Sequence, residues 1–362
     1  MILVLRALGV GDLATAVPAL RALRAGHPGE ELVLAAPAWL GPLVELVGGV
    51  DRLLPTDDLG PPPWPVPPSA GRWPGRPPAG APPWSGPLPA GAPPWSGPLP
   101  AGAPPWSGPL PGGVPSWSGP PPEVAVNLHG RGPRSHLMLA GAGRLVAFRC
   151  PPAGHRDGPD WDDDEHEVDR WCRLLDWYGI PADRTDLALR RPPVGRLPAG
   201  VTVVHPGSKV EAKRWPADRF AALARRLADR GHRVVVTGSA GERELAARVA
   251  AGAGLPRSAV LAGRTDLGEL AALVAAARLV VSGDTGVGHL ATAYRVPSVL
   301  LFGPVPPARW GPPADRPWHR VLWAAGEDCG AGPGVGTAAR WAALPVDRVL
   351  AAVDEAEETV RV

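Results

Sequence analysis

The sequence predicts an α/β protein with two doubly wound parallel sheets facing a cleft. Short apolar runs alternate with helical stretches in both halves of the chain. A proline-rich stretch, "PADRTDLALRRPPVGRLPAG", separates the first run of alternation from the second. Glycine-bearing loops follow several of the apolar runs where helices start, the usual place for a ligand in open α/β folds.

The elements follow in order. "ILVLRAL" reads as a buried strand, "DLATAVPALRALRAG" as a helix ended by glycine, "ELVLAAP" as a second strand and "LGPLVELVGG" as a second helix. "VDRLLP" closes this run; "EVAVNLHG", a short helix and "RLVAFR" resume it, and "HEVDRWCRLLDWYGI" is a long amphipathic helix. From "VTVVHPG" the alternation restarts: helix "ADRFAALARRLADRG", strand "HRVVVTG", helices "ERELAARVAAGAG" and "GELAALVAAA", strand "RLVVSG" and helix "GHLATAYR". The expected domains are 1–60 with 123–190, then 198–345, with 346–362 as a C-terminal helix.

Residues 61–122 differ from both halves. They hold 25 of the 50 prolines, six tryptophans, two arginines and no acid. "PAGAPPWSGPL" recurs there every 11 residues, spacing Trp73, Trp84, Trp95, Trp106 and Trp117. Proline forbids helix interiors and central strands, so polyproline-like disorder is expected, as a tandem expansion in a tolerant surface loop. The alternative is a ligand for aromatic-lined grooves.

Composition excludes several classes. The net charge of +2, from 37 basic and 35 acidic residues, gives no overall field for nucleic acid or anionic lipid. No run of 18 apolar residues occurs and "MILVLRALGVGD" has no leader pattern, so a soluble, cytoplasmic protein is expected. Cys150, Cys172 and Cys329 are odd in number and widely spaced, which fits reduced thiols.

Three loops carry the candidate chemistry. In "VVSGDTGVGHLATAYRVPSVLLFGP" a strand delivers glycines to a helix start, where free backbone N–H groups and the positive dipole end attract phosphate. Asp284 there caps the helix or accepts hydrogen bonds from a sugar. "HPGSKVEAKRWP" holds the only two lysines, Lys209 and Lys213, among the 37 basic residues. Ser208 would donate a hydroxyl to the anion and Lys213 would neutralise its charge; a solvated surface lysine is the plainer reading. It is no P-loop, because "GSK" reverses the required order.

The third loop, "GVGDLA", satisfies the G-x-G-x-x-[GA] dinucleotide fingerprint through Gly9, Gly11 and Ala14, but "ELVLAAP" lacks the ribose-binding acid that should follow. Asp12 is an N-terminal helix cap or a general base toward an acceptor hydroxyl. "WDDDEHEVD" contains an Asp-x-Asp, better explained by acids at a helix N-terminus than by a metal site.

Together "LRALGVGDLATAVPALRALR", "NLHGRGPRSH", "VVHPGSKVEAKRWP", "LAGRTDLGELAALVAAARLVVSGDTGVGHLATA" and "SVLLFGP" resemble glycosyltransferase family 9, the heptosyltransferase family. The resemblance runs in order along nearly all of the chain outside 61–122. It implies a GT-B architecture: two Rossmann-like domains around a central cleft, the first for the acceptor, the second for a nucleotide-diphosphate sugar. It implies inversion without a metal or cofactor, and peripheral membrane association through a glycan or glycolipid acceptor at the inner membrane face, with no nucleic-acid or obligate protein partner.

Carried over by motif, Asp12 resembles the base and Lys213 the cation that meets the departing diphosphate. Ser208, Lys209, Glu242, Asp284, Thr285, Gly286 and His289 are the donor residues the resemblance implies; Gly11, His129 and Arg131 are those for the acceptor. Asp12 at a helix start is expected to have a low pKa. Two departures stand out: the tract falls between the third and fourth strands, and "FGPVPPARWGP" lacks the family's usual threonine after "GP". Two other functions use the same features: a nicotinamide enzyme built on "GVGDLA", and a non-catalytic nucleotide-sugar-binding scaffold whose repeat recruits a partner.

Overall fold

The computed structural model describes residues 1–57, 59, 119–193, 196–324, 340–341 and 344–361. The repeat, through residue 118, and Cys329 lie outside the described residues, so the disorder expected of the tract has no structural counterpart here.

The first sheet comprises β1 (Ile2–Leu5), β2 (Leu32–Ala36), β3 (Arg52–Pro55), β4 (Val124–Asn127) and β5 (Arg144–Val146) in the spatial order β3-β2-β1-β4-β5. All pairs are parallel, with Leu5 opposite both Ala35 and Asn127. β1 and β2 are buried throughout, which is why they read as unbroken apolar runs rather than alternating ones. The helices of this half are α1 (Val10–Gly26), α2 (Gly41–Val47), the short α3 (Arg134–Leu137) and α4 (Glu167–Trp177).

The second sheet, also parallel, contains β6 (Thr202–His205), β7 (Val234–Val236), β8 (Leu279–Gly283), β9 (Ser298–Phe302) and β10 (His319–Trp323), ordered β10-β9-β8-β6-β7. Its helices are α5 (Ala217–Asp229), α6 (Arg243–Gly252), α7 (Leu267–Ala275), α8 (Gly286–Tyr294), α9 (Pro307–Trp310) and α10 (Val346–Arg361). α5 shows how pattern becomes packing. Phe220, Leu223, Ala224 and Leu227 recur at helical spacing and are buried, together with Ala221. α10 answers with Val349, Leu350, Val353 and Ala356 in the same cluster.

The two halves share one apolar core. Leu13, Val17 and Leu20 of α1 pool with Leu43 and Val47 of α2, Leu270 and Val274 of α7, and Leu290 and Tyr294 of α8. Each such fully buried side chain is worth about 1.5–3 kcal/mol relative to exposure, so the arrangement of the halves is set by burial. Cys150 and Cys172 are buried free thiols. Among the described residues no helix is long and apolar enough to cross a membrane.

Candidate active site

Each sheet has one place where strand order reverses, and both places point at the same space. In the first sheet it lies between β1 and β4, in the second between β6 and β8. The carboxyl ends of strands at such a reversal leave a crevice because their connections depart in opposite directions. The segments leaving these four strands begin at Arg6, Leu128, Pro206 and Asp284. They contain all the site residues expected from sequence except Glu242, which follows β7.

The N-termini of α1 and α8 meet across the halves. A Cβ on Gly286 would lie 2.5 Å from the Val10 Cβ and 3.3 Å from the Gly11 N; one on Gly11 would lie 2.8 Å from His289 Cδ2. Glycine is therefore needed at both positions for the halves to close. The fingerprint glycine Gly11 is used to approach His289, and β2 ends in Ala36 and Pro37 with no acid, so the loop lacks two elements of a dinucleotide site. Burial holds the His289 ring down to about 4, which keeps it neutral at neutral pH. Its ring sits edge-on to Trp310, 6.0 Å between centroids.

Thr285, and not Asp284, is the N-cap of α8. Its side chain makes no capping bond, and Thr285 Oγ1 is buried with no hydrogen-bond partner among the described residues. A buried hydroxyl at a helix N-terminus is placed where oxyanions are favoured. Asp284 precedes the cap and instead accepts a 2.6 Å hydrogen bond from Lys213 Nζ, with the two side chains 7% and 9% exposed. Lys213 is thus no solvated surface lysine: it ends a single 3-10 turn, Glu211–Lys213, and is buried.

The rest of that loop is pinned locally. Arg214 Nε and Nη2 donate to the Ser208 carbonyl, and Ser208 Oγ accepts from Val210 N at 3.3 Å. Lys209 is exposed and reaches across to the first half, its Nζ 5.9 Å from the Trp39 ring. Glu242 Oε2 accepts from Ser239 N and Oγ. Its Oε1 would lie 2.2 Å from a Cβ on Gly207, which places the carboxylate against the residue before Ser208.

Asp12 departs from expectation. It reaches back to cap Gly9 N at 2.9 Å, as its position allows. Its pKa is nevertheless raised: burial dominates, and Glu167 adds like-charge repulsion, outweighing the lowering by Arg6, the Gly9 N–H and Lys209. A carboxylate at a helix start ordinarily has a low value; at Asp12 burial and the Glu167 charge outweigh that preference. Arg6 and Glu167 were not anticipated as site residues. The available signal was an arginine ending an apolar strand, a position where charge is rarely buried without a carboxylate partner.

The remaining expected residues are placed less centrally. The His129 backbone N–H donates to Asn127 Oδ1, and Arg131 makes a surface ion pair with Asp163. The acidic run divides at the start of α4: Glu167 and Asp169 lie in its first turn, as expected of acids at a helix N-terminus. α4 starts at Glu167 behind the N-cap His166, so Asp162, Asp163 and Asp164 lie outside its first turn. Asp163 binds Arg131 and the Trp161 indole, while the Asp162 carboxylate accepts the Asp164 N–H. Among the described residues no group of three His, Cys, Asp or Glu side chains could hold a metal.

Comparison with known proteins agrees with this architecture. Residues 162–329 match the family described as glycosyltransferase family 9 (heptosyltransferase). The chain is 39% identical over 155 residues to lipopolysaccharide heptosyltransferase 1 of Pseudomonas aeruginosa, covering 41% of this chain and 42% of that protein. The chain thus spans less than half the length of this curated relative. In fold it is similar to the E. coli ADP-heptose lipopolysaccharide heptosyltransferase II (TM-score 0.66, 22% identity, 100% of this chain and 99% of that one). It is also similar to an E. coli heptosyltransferase solved with ADP (TM-score 0.59, 17% identity, 99% and 98%). These neighbours share the GT-B arrangement of two facing α/β halves described above. Over residues 162–329 the chain is thus similar to glycosyltransferase family 9, and its fold is that of solved heptosyltransferases.

Proposed function

We propose that the protein is an inverting glycosyltransferase that moves a sugar, of the heptose class, from an ADP-linked donor to a hydroxyl of a glycan or glycolipid acceptor. The observation that carries this reading is the convergence of Asp12, the α8 N-terminus with its orphaned Thr285 hydroxyl, and the buried Lys213–Asp284 pair at the two sheet reversals. The solved neighbour with ADP and the relatives named as lipopolysaccharide heptosyltransferases support the donor and acceptor classes.

The chemistry follows from charge. As the acceptor oxygen bonds to the anomeric carbon, the bond from that carbon to the diphosphate breaks and negative charge grows on the leaving group. The N–H groups of Gly286 and Val287, the Thr285 hydroxyl and Lys213 Nζ meet that charge, each interaction strengthening in the transition state. Asp284, paired with Lys213, faces the sugar hydroxyls. Asp12 takes the acceptor proton, and a raised pKa makes it a better acceptor than an ordinary carboxylate. Glu242, whose carboxylate sits beside Gly207, would meet the nucleotide ribose. Catalysis takes place at the cytoplasmic membrane face, where a glycolipid acceptor presents its headgroup.

The test is Asp12→Asn with ADP-heptose and a panel of truncated lipopolysaccharide cores. Transfer should fall by about 10²–10⁴-fold while ADP binding is kept. Undiminished transfer would remove Asp12 from the mechanism.

A further inference from the structure

A second layer of charge stands behind Asp12. Arg6, 1% exposed, follows β1 directly and donates in three directions. Nε binds the Asp12 carbonyl at 3.0 Å, Nη1 binds the Leu128 carbonyl, and Nη2 reaches Glu167 Oε1 at 2.8 Å. The same Nη2 is 3.4 Å from both Asp12 Oδ1 and Thr15 Oγ1. The guanidinium lies over the Trp171 ring, 4.6 Å from its centroid, which fixes its plane.

The nearer carboxylate is therefore Glu167 and not Asp12. Glu167 opens α4, is 5% exposed, and also accepts from Arg170 and from Trp171 Nε1 at 3.0 Å. Burial alone would raise the Glu167 carboxyl, but Arg6, Arg170 and these hydrogen bonds outweigh it and hold it ionised. A permanently charged Glu167 keeps Arg6 turned partly away from Asp12.

We propose that Arg6 and Glu167 are positioning residues: Arg6 orients the Asp12 loop through its backbone, and Glu167 draws off the arginine's charge so that Asp12 keeps the basicity its role requires. This deepens the transferase reading and rests on it for the purpose of that basicity. The groups facing Asp12 are Arg6 after β1, Glu167 with Arg170 behind it on α4, Lys209 from the loop after β6, and His289 of α8 against Gly11. Of these only Glu167 adds a negative charge.

The experiment needs no substrate. The full chain, labelled with aspartate carrying ¹³C in the carboxyl group, is titrated by NMR, and Asp12→Asn identifies the Asp12 signal by its loss. In Glu167→Gln, which keeps the shape, Arg6 turns to its remaining carboxylate and the Asp12 titration should move down by about one unit or more. In Arg6→Met it should move up. An Asp12 titration unchanged in Glu167→Gln, whatever the change in melting temperature, overturns the proposal and leaves the pair a purely structural link. Should Arg6→Met not fold, Glu167→Gln decides alone. Transfer retained by Asp12→Asn would instead refute the base assignment, so the two failures are distinguishable.

Discussion

Replacing Lys213 with methionine removes one member of a buried ion pair and leaves the other in place. The Nζ–Oδ2 distance is 2.6 Å and the side chains are 9% and 7% exposed, so neither charge can turn to bulk water without opening the site. At an effective dielectric of about 20 the attraction is about 6 kcal/mol, most of which offsets the cost of drying both ions. The net loss on deleting one partner is about 3–5 kcal/mol, because Asp284 stays buried and uncompensated. Lys213→Met and Asp284→Asn should each lower the urea midpoint, and the double variant should lose less than the sum, with a coupling of about 1–3 kcal/mol. The assay is a double-mutant cycle by urea unfolding. A Lys213→Met variant within 1 kcal/mol of wild type would refute the claim that the pair is desolvated, taking ~0.5 kcal/mol as the usual limit for a surface change.

Further outcomes follow from the same geometry. Burial lowers the His136 and His319 pKa values to about 4, and both rings are neutral in the folded state. Their stabilisation is fully present above the ordinary value of 6.5 and is lost as pH falls from there through 4, by about 3 kcal/mol apiece. The melting temperature should drop steeply over that window, and His319→Gln should flatten the slope. Gly286→Ala puts a methyl group 2.5 Å from Val10 Cβ, so the halves must separate; stability should fall by about 1–3 kcal/mol, with ADP affinity falling in parallel by calorimetry. Asp12 contributes with the opposite sign to the histidines. Its raised pKa means that stability falls as pH rises from the unfolded value through the folded one, so Asp12→Asn should melt higher than wild type at pH 8.

Local pattern carried most of the fold. Apolar runs bounded by glycine or proline located the strands, and the 220, 223, 224, 227 spacing located a helix face, because both signals depend on burial by near neighbours. Asp284, Thr285, Gly286, Lys213 and Ser208 were singled out because loop-to-helix junctions carry recognisable chemistry, and His289 through the family resemblance; the structure brings all six to the two sheet reversals. What the sequence left out depends on contacts between segments far apart in the chain. That Asp284 pairs with Lys213, 71 positions away in the chain, cannot be read from spacing. The raised Asp12 pKa depends on burial and on the distant Glu167 charge, and the Arg6–Glu167 contact spans 161 positions. The acidic run divides at the helix start: Glu167 and Asp169 lie in the first turn of α4, as helix-start preference expects, while Asp162, Asp163 and Asp164 precede it.

The central claim is that the α8 N-terminus with Lys213 holds the diphosphate of a sugar donor. Its most direct test is the melting temperature of the purified protein with ADP, UDP, GDP, dTDP or NAD, each repeated with Lys213→Ala. ADP at about 100 times its dissociation constant should stabilise the wild type by about 2.7 kcal/mol, and that gain should vanish in the lysine variant. Stabilisation by NAD alone, or by ADP to the same extent with and without Lys213, would contradict it.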